Sequence, residues 1–269
     1  MKQIIIILTI IVSVFGSTTE ALAITEAKSS KKTETLNYDI FYHWGIIWKK
    51  AGRGSLSLYE ETDANGDKRM HGQVFGRSLS FIEYIMAVRD TLDCWYTPEY
   101  VPLEFCKRTH EGSYKAIERN TYTTTFNGDG KGIDDIESVQ INIDRWRNKK
   151  GSDKKSFTSK NVTYDYLSLF YRIRSLDYST IKPGTTISLP VVSGIKVEQM
   201  KVKYLEETTC KLDKGKKYPA YKIELRFNVK GEDGAPLYVW LTKDEARIPL
   251  CVIIHLKRVG SIQCEIANY

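Results

Sequence analysis

The chain has 269 residues, 42% of them apolar, and a formal net charge of +7. This is an ordinary globular composition, long enough to bury a sizeable core. Part of the basic excess lies in runs such as Lys149-Lys150-Gly151-Ser152-Asp153-Lys154-Lys155 and Lys214-Gly215-Lys216-Lys217, which solvate turns rather than mark a nucleic-acid surface.

The first 23 residues carry the strongest local signal. Lys2 gives a charged start, residues 4–15 are almost all apolar, and Ala21-Leu22-Ala23 supplies a small-x-small cleavage pattern. That combination reads as a secretory signal peptide over 1–23. A membrane anchor would need about 20 apolar residues, and Ser17, Thr18, Thr19 and Glu20 end the run too soon. With no cysteine near the cleavage point, no lipid-attachment residue is present. The mature chain is therefore expected to start near Ile24, exported and without a transmembrane segment. Losing Lys2 and Glu20 leaves its net charge at +7.

Residues 24–35 are polar and predict a flexible lead-in to one domain over 36–269. Residues 36–48 are rich in aromatic and β-branched types, and 55–59 alternate with period two. Asn65-Gly66 predicts a type I′ hairpin, with 69–77 as the returning strand. A short helix is predicted over 78–86, capped by Ser78, because Leu79, Ile82, Ile85 and Met86 share a helical face. Strands follow at 88–96, 103–110, 114–126 and 139–144. Residues 147–160 read as a long, lysine-rich hairpin loop.

The clearest helix spans 165–176. Asp165 can cap it, Leu167, Phe170 and Tyr171 recur at helical spacing, and Arg172 and Arg174 suit its negative end. Strands resume at 187–192, 195–204, 218–229, 237–241, 248–257 and 262–267. Short connections imply antiparallel pairing. The expectation is one mainly β sheet of about eleven strands with a little helix.

Catalytic motifs are missing from this pattern. His43, His71, His110 and His255 are scattered and fit no metal spacing, and no serine sits in a Gly-x-Ser-x-Gly elbow. Gly128, Gly130 and Gly132 lie in a turn, with no helix and Lys-Ser/Thr behind them as a phosphate loop requires. The spacing of Asp134, Asp135 and Glu137 does not fit a calcium loop. No metal site or cofactor is expected. Five cysteines leave at least one without an intrachain partner. Cys94 and Cys106 flank a turn and are the candidate disulfide, against the alternative that all five are small buried strand residues.

Four segments carry a family resemblance: Leu36-Asn37-Tyr38 with Trp44-Gly45-Ile46 and Ala51-Gly52; Val88-Arg89-Asp90-Thr91; Asp165-Tyr166-Leu167-Ser168 running on to Arg174; and Trp240 to Pro249. In order and spacing they resemble an exported bacterial family known as domain of unknown function 3108, over nearly the whole mature chain. The resemblance implies a Gram-negative periplasmic location and supplies no catalytic residues. It is also similar in fold to periplasmic lipoprotein carriers, which implies a half-barrel with a helix packed on its concave face. Leu167, Phe170, Tyr171 and Arg174 would then face a ligand, or else form plain core. Asp165, Ser168, Arg172, Trp240, Asp244 and Pro249 would be structural. Arg172 and Arg174 would pair with acids such as Asp90 or form a cationic rim. The expected function is a monomeric carrier of a lipid or a lipoprotein acyl chain. Alternatives are a non-catalytic partner of envelope proteins and a hydrolase of an envelope polymer.

Overall fold

The structure is a computed structural model describing residues 29–80, 82–83, 87–213, 215–229, 232–256 and 260–267. The expected signal peptide and four of the nine positions of the 78–86 helix lie outside these residues. Of that helix, Ser80, Ile82 and Glu83 are helical, and the Leu79 carbonyl accepts from the amides of Ile82 and Glu83. No helix among the described residues is long and apolar enough to cross a membrane.

Among the described residues, fifteen strands form one antiparallel sheet, where the sequence suggested about eleven. The first eight are β1 (Ser29–Trp44), β2 (Ile47–Thr62), β3 (Lys68–Ser78), β4 (Arg89–Tyr96), β5 (Pro102–Glu111), β6 (Tyr114–Phe126), β7 (Ile136–Arg147) and β8 (Gly151–Ser159). A single helix of nine residues among those described, α1 (Tyr166–Arg174), comes next. The chain then runs through β9 (Thr186–Ser193), β10 (Lys196–Lys211), β11 (Lys217–Val229), β12 (Glu232–Asp233), β13 (Leu237–Thr242), β14 (Pro249–Leu256) and β15 (Gly260–Ile266). Strand order is β8-β7-β6-β5-β4-β3-β2-β1-β15-β14-β13-β11-β10-β9, with β12 on β11. The sheet is open, with β8 and β9 as its edges.

Two segments that read as loop are strand in the structure. Residues 29–35 are the first half of β1, paired with Ser57 to Thr62, so the lead-in is ordered from Ser29 onward. Lys31, Lys32 and Glu34 made it look solvated, but cross-strand and side-chain bonds hold it. The lysine-rich stretch after residue 150 is β8, an edge strand. Charged edge strands resist pairing with other chains, so its lysines mark an edge rather than a loop. The Asn65-Gly66 turn also differs. Only Gly66 has a positive φ, of 92°, whereas a type I′ turn needs two such residues. Asp63 instead accepts the amides of Asn65 and Asp67, closing a five-residue loop.

The sheet curls strongly around α1. The Tyr166 ring meets Phe105 on β5 at 6.4 Å and Phe227 on β11 at 5.6 Å. Those strands are eight places apart, about 38 Å in a flat sheet. Both can touch one ring only if the sheet wraps round the helix. The chain after β8 also bridges to β9 through Tyr164 and Val191, bringing the two edges near each other.

Helix α1 starts where the sequence placed it. The Asp165 carboxylate accepts the amides of Leu167 and Ser168 at 2.8 and 2.9 Å, and Ser168 Oγ donates back to it at 2.6 Å. This capping box is fully buried. Burial outweighs those bonds and pushes the Asp165 pKa up to about 6. Tyr171 locks the helix to the sheet: its hydroxyl donates to the Ser57 carbonyl at 2.9 Å, and its ring lies over Gly72.

All five cysteines are buried free thiols. Cys94 stands opposite Phe105, and Cys106 opposite Asp93. Neighbouring positions on a strand point to opposite faces, so Cys94 and Cys106 project from opposite sides and do not pair.

Candidate functional site

A cavity of about 620 Å³ lies between α1 and the concave face of the sheet. Most of its lining strand residues fall in one half of the sheet, with Pro249, at the start of β14, toward the other end. Ile40 is near the end of β1, Gly54 in the first half of β2, Thr109 near the end of β5 and Ala116 near the start of β6. Antiparallel pairing therefore puts the cavity at the end where the β1–β2, β5–β6, β7–β8 and β9–β10 turns lie. The opposite end is closed by the last turn of α1. There Arg174 grips Glu34 with two N···O contacts of 2.8 Å and also donates to the carbonyls of Ala246 and Arg247.

Most of the wall is apolar. Strands contribute Ile40, Leu56, Val74, Leu92, Val252 and Ile254, and α1 contributes Leu167, Leu169, Phe170 and Ile173. Alternation makes this wall: every second strand residue faces inward. Burying an apolar ligand here would gain roughly 25 cal/mol per Å².

One wall is charged. Lys107 lies opposite Glu118, Glu118 opposite Arg145, and Arg145 opposite Asp153, a ladder of alternating charge across β5, β6, β7 and β8. Arg145 and Arg147 both reach Asp153, the former at 3.0 Å. Asp90 and Glu111 sit beside the ladder and share the field of Lys107. Burial dominates this group. It pushes Asp90 up to about 8 and Glu111 up to about 7, raises Glu118 and lowers Lys107. Attraction to Glu118, Asp90 and Glu111 works against the lysine shift but does not cancel it. Buried oxygens of Asp90, Glu111 and Glu118 and the Nε of Arg145 lack hydrogen-bond partners within the protein. Unsatisfied polar atoms beside a cavity are costly unless water or a ligand completes them.

Sequence reasoning missed this cluster, though one signal was there. Phe105, Lys107, Thr109 and Glu111 alternate, so the lysine and glutamate share the face of a core phenylalanine. Charged residues on a strand are by default assigned to the solvent side, which hides such a face.

The structure divides the expected ligand-facing residues. Leu167 and Phe170 line the cavity. Tyr171 and Arg174 do not, because Tyr171 is spent on Ser57 and Gly72 and Arg174 on Glu34 at the closed end. The expected pairing of Asp90 with Arg172 or Arg174 is absent. Arg172 donates to Ser175 Oγ at 2.9 Å and stacks over Tyr100, while Asp90 accepts the His110 amide.

The remaining motif residues shape the fold. Asp165 and Ser168 cap α1. Asp244 accepts from the Thr242 hydroxyl and the Arg247 amide, organising the β13–β14 turn. The Pro249 carbonyl accepts from the Tyr38 hydroxyl at 2.8 Å. Trp240 lies under Lys222. Gly130 and Gly132 wrap the Asp135 side chain, which accepts the Gly132 amide.

No histidine lines the cavity. His71 stands on the convex face between Glu61 at 2.9 Å and Asp93 at 3.1 Å, stacked on Trp95. Both ring nitrogens are taken up by carboxylates, so it braces β2, β3 and β4 rather than serving as a base. Among the described residues no group of three His, Cys, Asp or Glu is arranged to hold a metal.

The sequence profile of the family described as "Protein of unknown function (DUF3108)" matches residues 37–266. The chain belongs to this family. The matched span takes in both α1 and the charged ladder. No curated protein matches the sequence. Among solved structures, the chain is similar to a β-barrel-like protein of domain of unknown function DUF1849 from Brucella abortus. That match has a TM-score of 0.52 at 8% identity, covering 87% of this chain and 95% of the other. At such identity it shows fold alone. The family member is thus a large, open, mainly β sheet of a kind already seen in a barrel-like protein.

Proposed function

We propose that this family member is an exported, non-enzymatic carrier: a monomeric half-barrel that holds a lipid-like, apolar or amphipathic ligand between α1 and the concave face. The observation that carries this reading is the cavity of about 620 Å³, which α1 does not fill. Its size is in the range of pockets that enclose small ligands. Its apolar walls suit an acyl chain, free or on a lipoprotein, and its charged ladder suits a polar headgroup. The export reading rests on Lys2, the apolar run over 4–15 and Ala21-Leu22-Ala23.

Native mass spectrometry of protein purified without detergent, followed by organic extraction, tests this. A reproducible extra mass that extracts as lipid is the expected result. A bare polypeptide mass, unchanged after incubation with fatty acids and phospholipids, would overturn it.

A further inference from the structure

We propose that the β1–β2 hairpin is a membrane-docking element that seats the open end of the cavity on an anionic lipid bilayer. Within five residues of its tip, Trp44 is 55% exposed, Ile46 fully exposed and Trp48 38% exposed. Trp146, 42% exposed, lies at the same end of the sheet but on β7, five strands from β2. Among the described residues, the hairpin carries three of the five large apolar side chains left in solvent. Scattered exposed apolar residues are ordinary, but a cluster at one point marks an interaction site.

The hairpin is built to hold its shape. Trp44 pairs with Ile47 in register, Gly45 turns the chain at φ 59°, and Trp48 stacks on Phe41 at 5.2 Å. It also rises from the cavity wall. Ile40 and Gly54 line the cavity, and the tip lies four residues beyond Ile40, about 13 Å along the strand. What touches the tip therefore faces the open end.

Charge selects the partner. The turns sharing this end present exposed Lys49, Lys115, Lys149, Lys150 and Lys196. Of the described acids near them, Glu83 pairs with Arg89 and Asp153 with Arg145 and Arg147, and Glu198 lines the cavity. Exposed lysines on the turns of this end, together with the hairpin's tryptophans and one protruding isoleucine, fit an anionic headgroup layer, with Trp at the interface and Ile among the chains. This rests on exposure and charge, and it holds whether or not the cavity is loaded.

The test is flotation of the mature protein with vesicles of phosphatidylglycerol and phosphatidylcholine in equal parts, and with pure phosphatidylcholine, while tryptophan emission is recorded. The wild type should float with the mixed vesicles, shift its emission to the blue and release at high salt. Ile46→Asp should weaken binding at least about tenfold, and Lys49→Glu about fivefold. Both changes lie at an exposed tip, and circular dichroism should show an unaltered fold. Failure of the wild type to float, or equal flotation of Ile46→Asp, would overturn the proposal. So would a wild-type dimer that Ile46→Asp dissolves without any vesicle binding, which would make the occupant a second copy. Cargo content, read separately by mass spectrometry, keeps failure here distinct from failure of the carrier reading.

Discussion

Arg174 and Glu34 lie 140 positions apart and meet in a two-pronged ion pair, with both N···O distances 2.8 Å. The pair ties the end of α1 to the first strand and closes one end of the curled sheet. Arg174 is 8% exposed, and its remaining donors go to backbone carbonyls. Removing one partner of a buried pair leaves a charge without compensation. Arg174→Ala should therefore destabilise the fold by about 3 kcal/mol, near the low end for such pairs because Glu34 is partly wet. Urea unfolding measures this. A loss well under 1 kcal/mol would mean the pair does not hold the helix.

Gly72 has its own reason to lack a side chain. A Cβ there would stand 2.2 Å from Tyr171 Cε2 and 3.0 Å from Cys94 Sγ. Neither group can retreat freely, since Tyr171 is bonded to Ser57 and Cys94 is fully buried. Gly72→Ala should cost about 1–3 kcal/mol through overpacking. In the double variant Gly72→Ala with Tyr171→Leu, part of that loss should return. If Gly72→Ala alone is neutral in thermal unfolding, the ring does not pin the helix to β3.

These contacts show what one sequence can and cannot reveal. The cap of α1 was legible, because Asp165 and Ser168 are local to the helix they start. The turn near Gly66 was legible as a turn, and its type was not, because Asp63 rather than Asn65 organises it. Cross-strand register was out of reach. A single-residue slip reverses every side chain, so neither the opposed faces of Cys94 and Cys106 nor the row Lys107, Glu118 and Arg145 can be read from spacing. The span of β1 was hidden for a related reason: Glu34 looks like a solvent residue until Arg174 comes round to meet it. Helical period groups Leu167, Phe170 and Tyr171, yet Leu167 and Phe170 line the cavity while Tyr171 and Arg174 turn toward the closed end.

The buried acids make stability depend on pH in a defined direction. Unfolded, Asp90 and Glu111 titrate near 3.8 and 4.5; folded, burial pushes them up to about 8 and about 7. Between those values the unfolded chain releases protons that the folded chain keeps. Their contribution is whole below about pH 4, falls as pH rises, and is lost above about pH 8. Asp165, raised from 3.8 to about 6, adds to the same slope. Lys107 acts oppositely and at higher pH, because its lowered pKa makes stability rise toward 10.5. Asp90→Asn keeps an oxygen for the His110 amide and removes one titration. Its urea midpoint should fall less steeply than that of the wild type between about pH 4 and 8. Parallel profiles would show that Asp90 ionises normally in the fold.

The cavity and a plain core predict opposite responses to added volume. Val74 sits mid-strand on β3 and lines the cavity. In a close-packed interior, a much larger side chain forces strain of about 1–3 kcal/mol or more. In a void it finds room and gains apolar contact instead. Val74→Trp should therefore leave the melting temperature unchanged or raised, and should sharply reduce the lipid found by native mass spectrometry. Arg174→Ala, at the closed end, should do the reverse: lower the melting temperature while the surviving folded protein still carries ligand. Strong destabilisation by Val74→Trp, with no ligand seen in any variant, would make the space part of an ordinary core and leave the charged ladder as a structural brace.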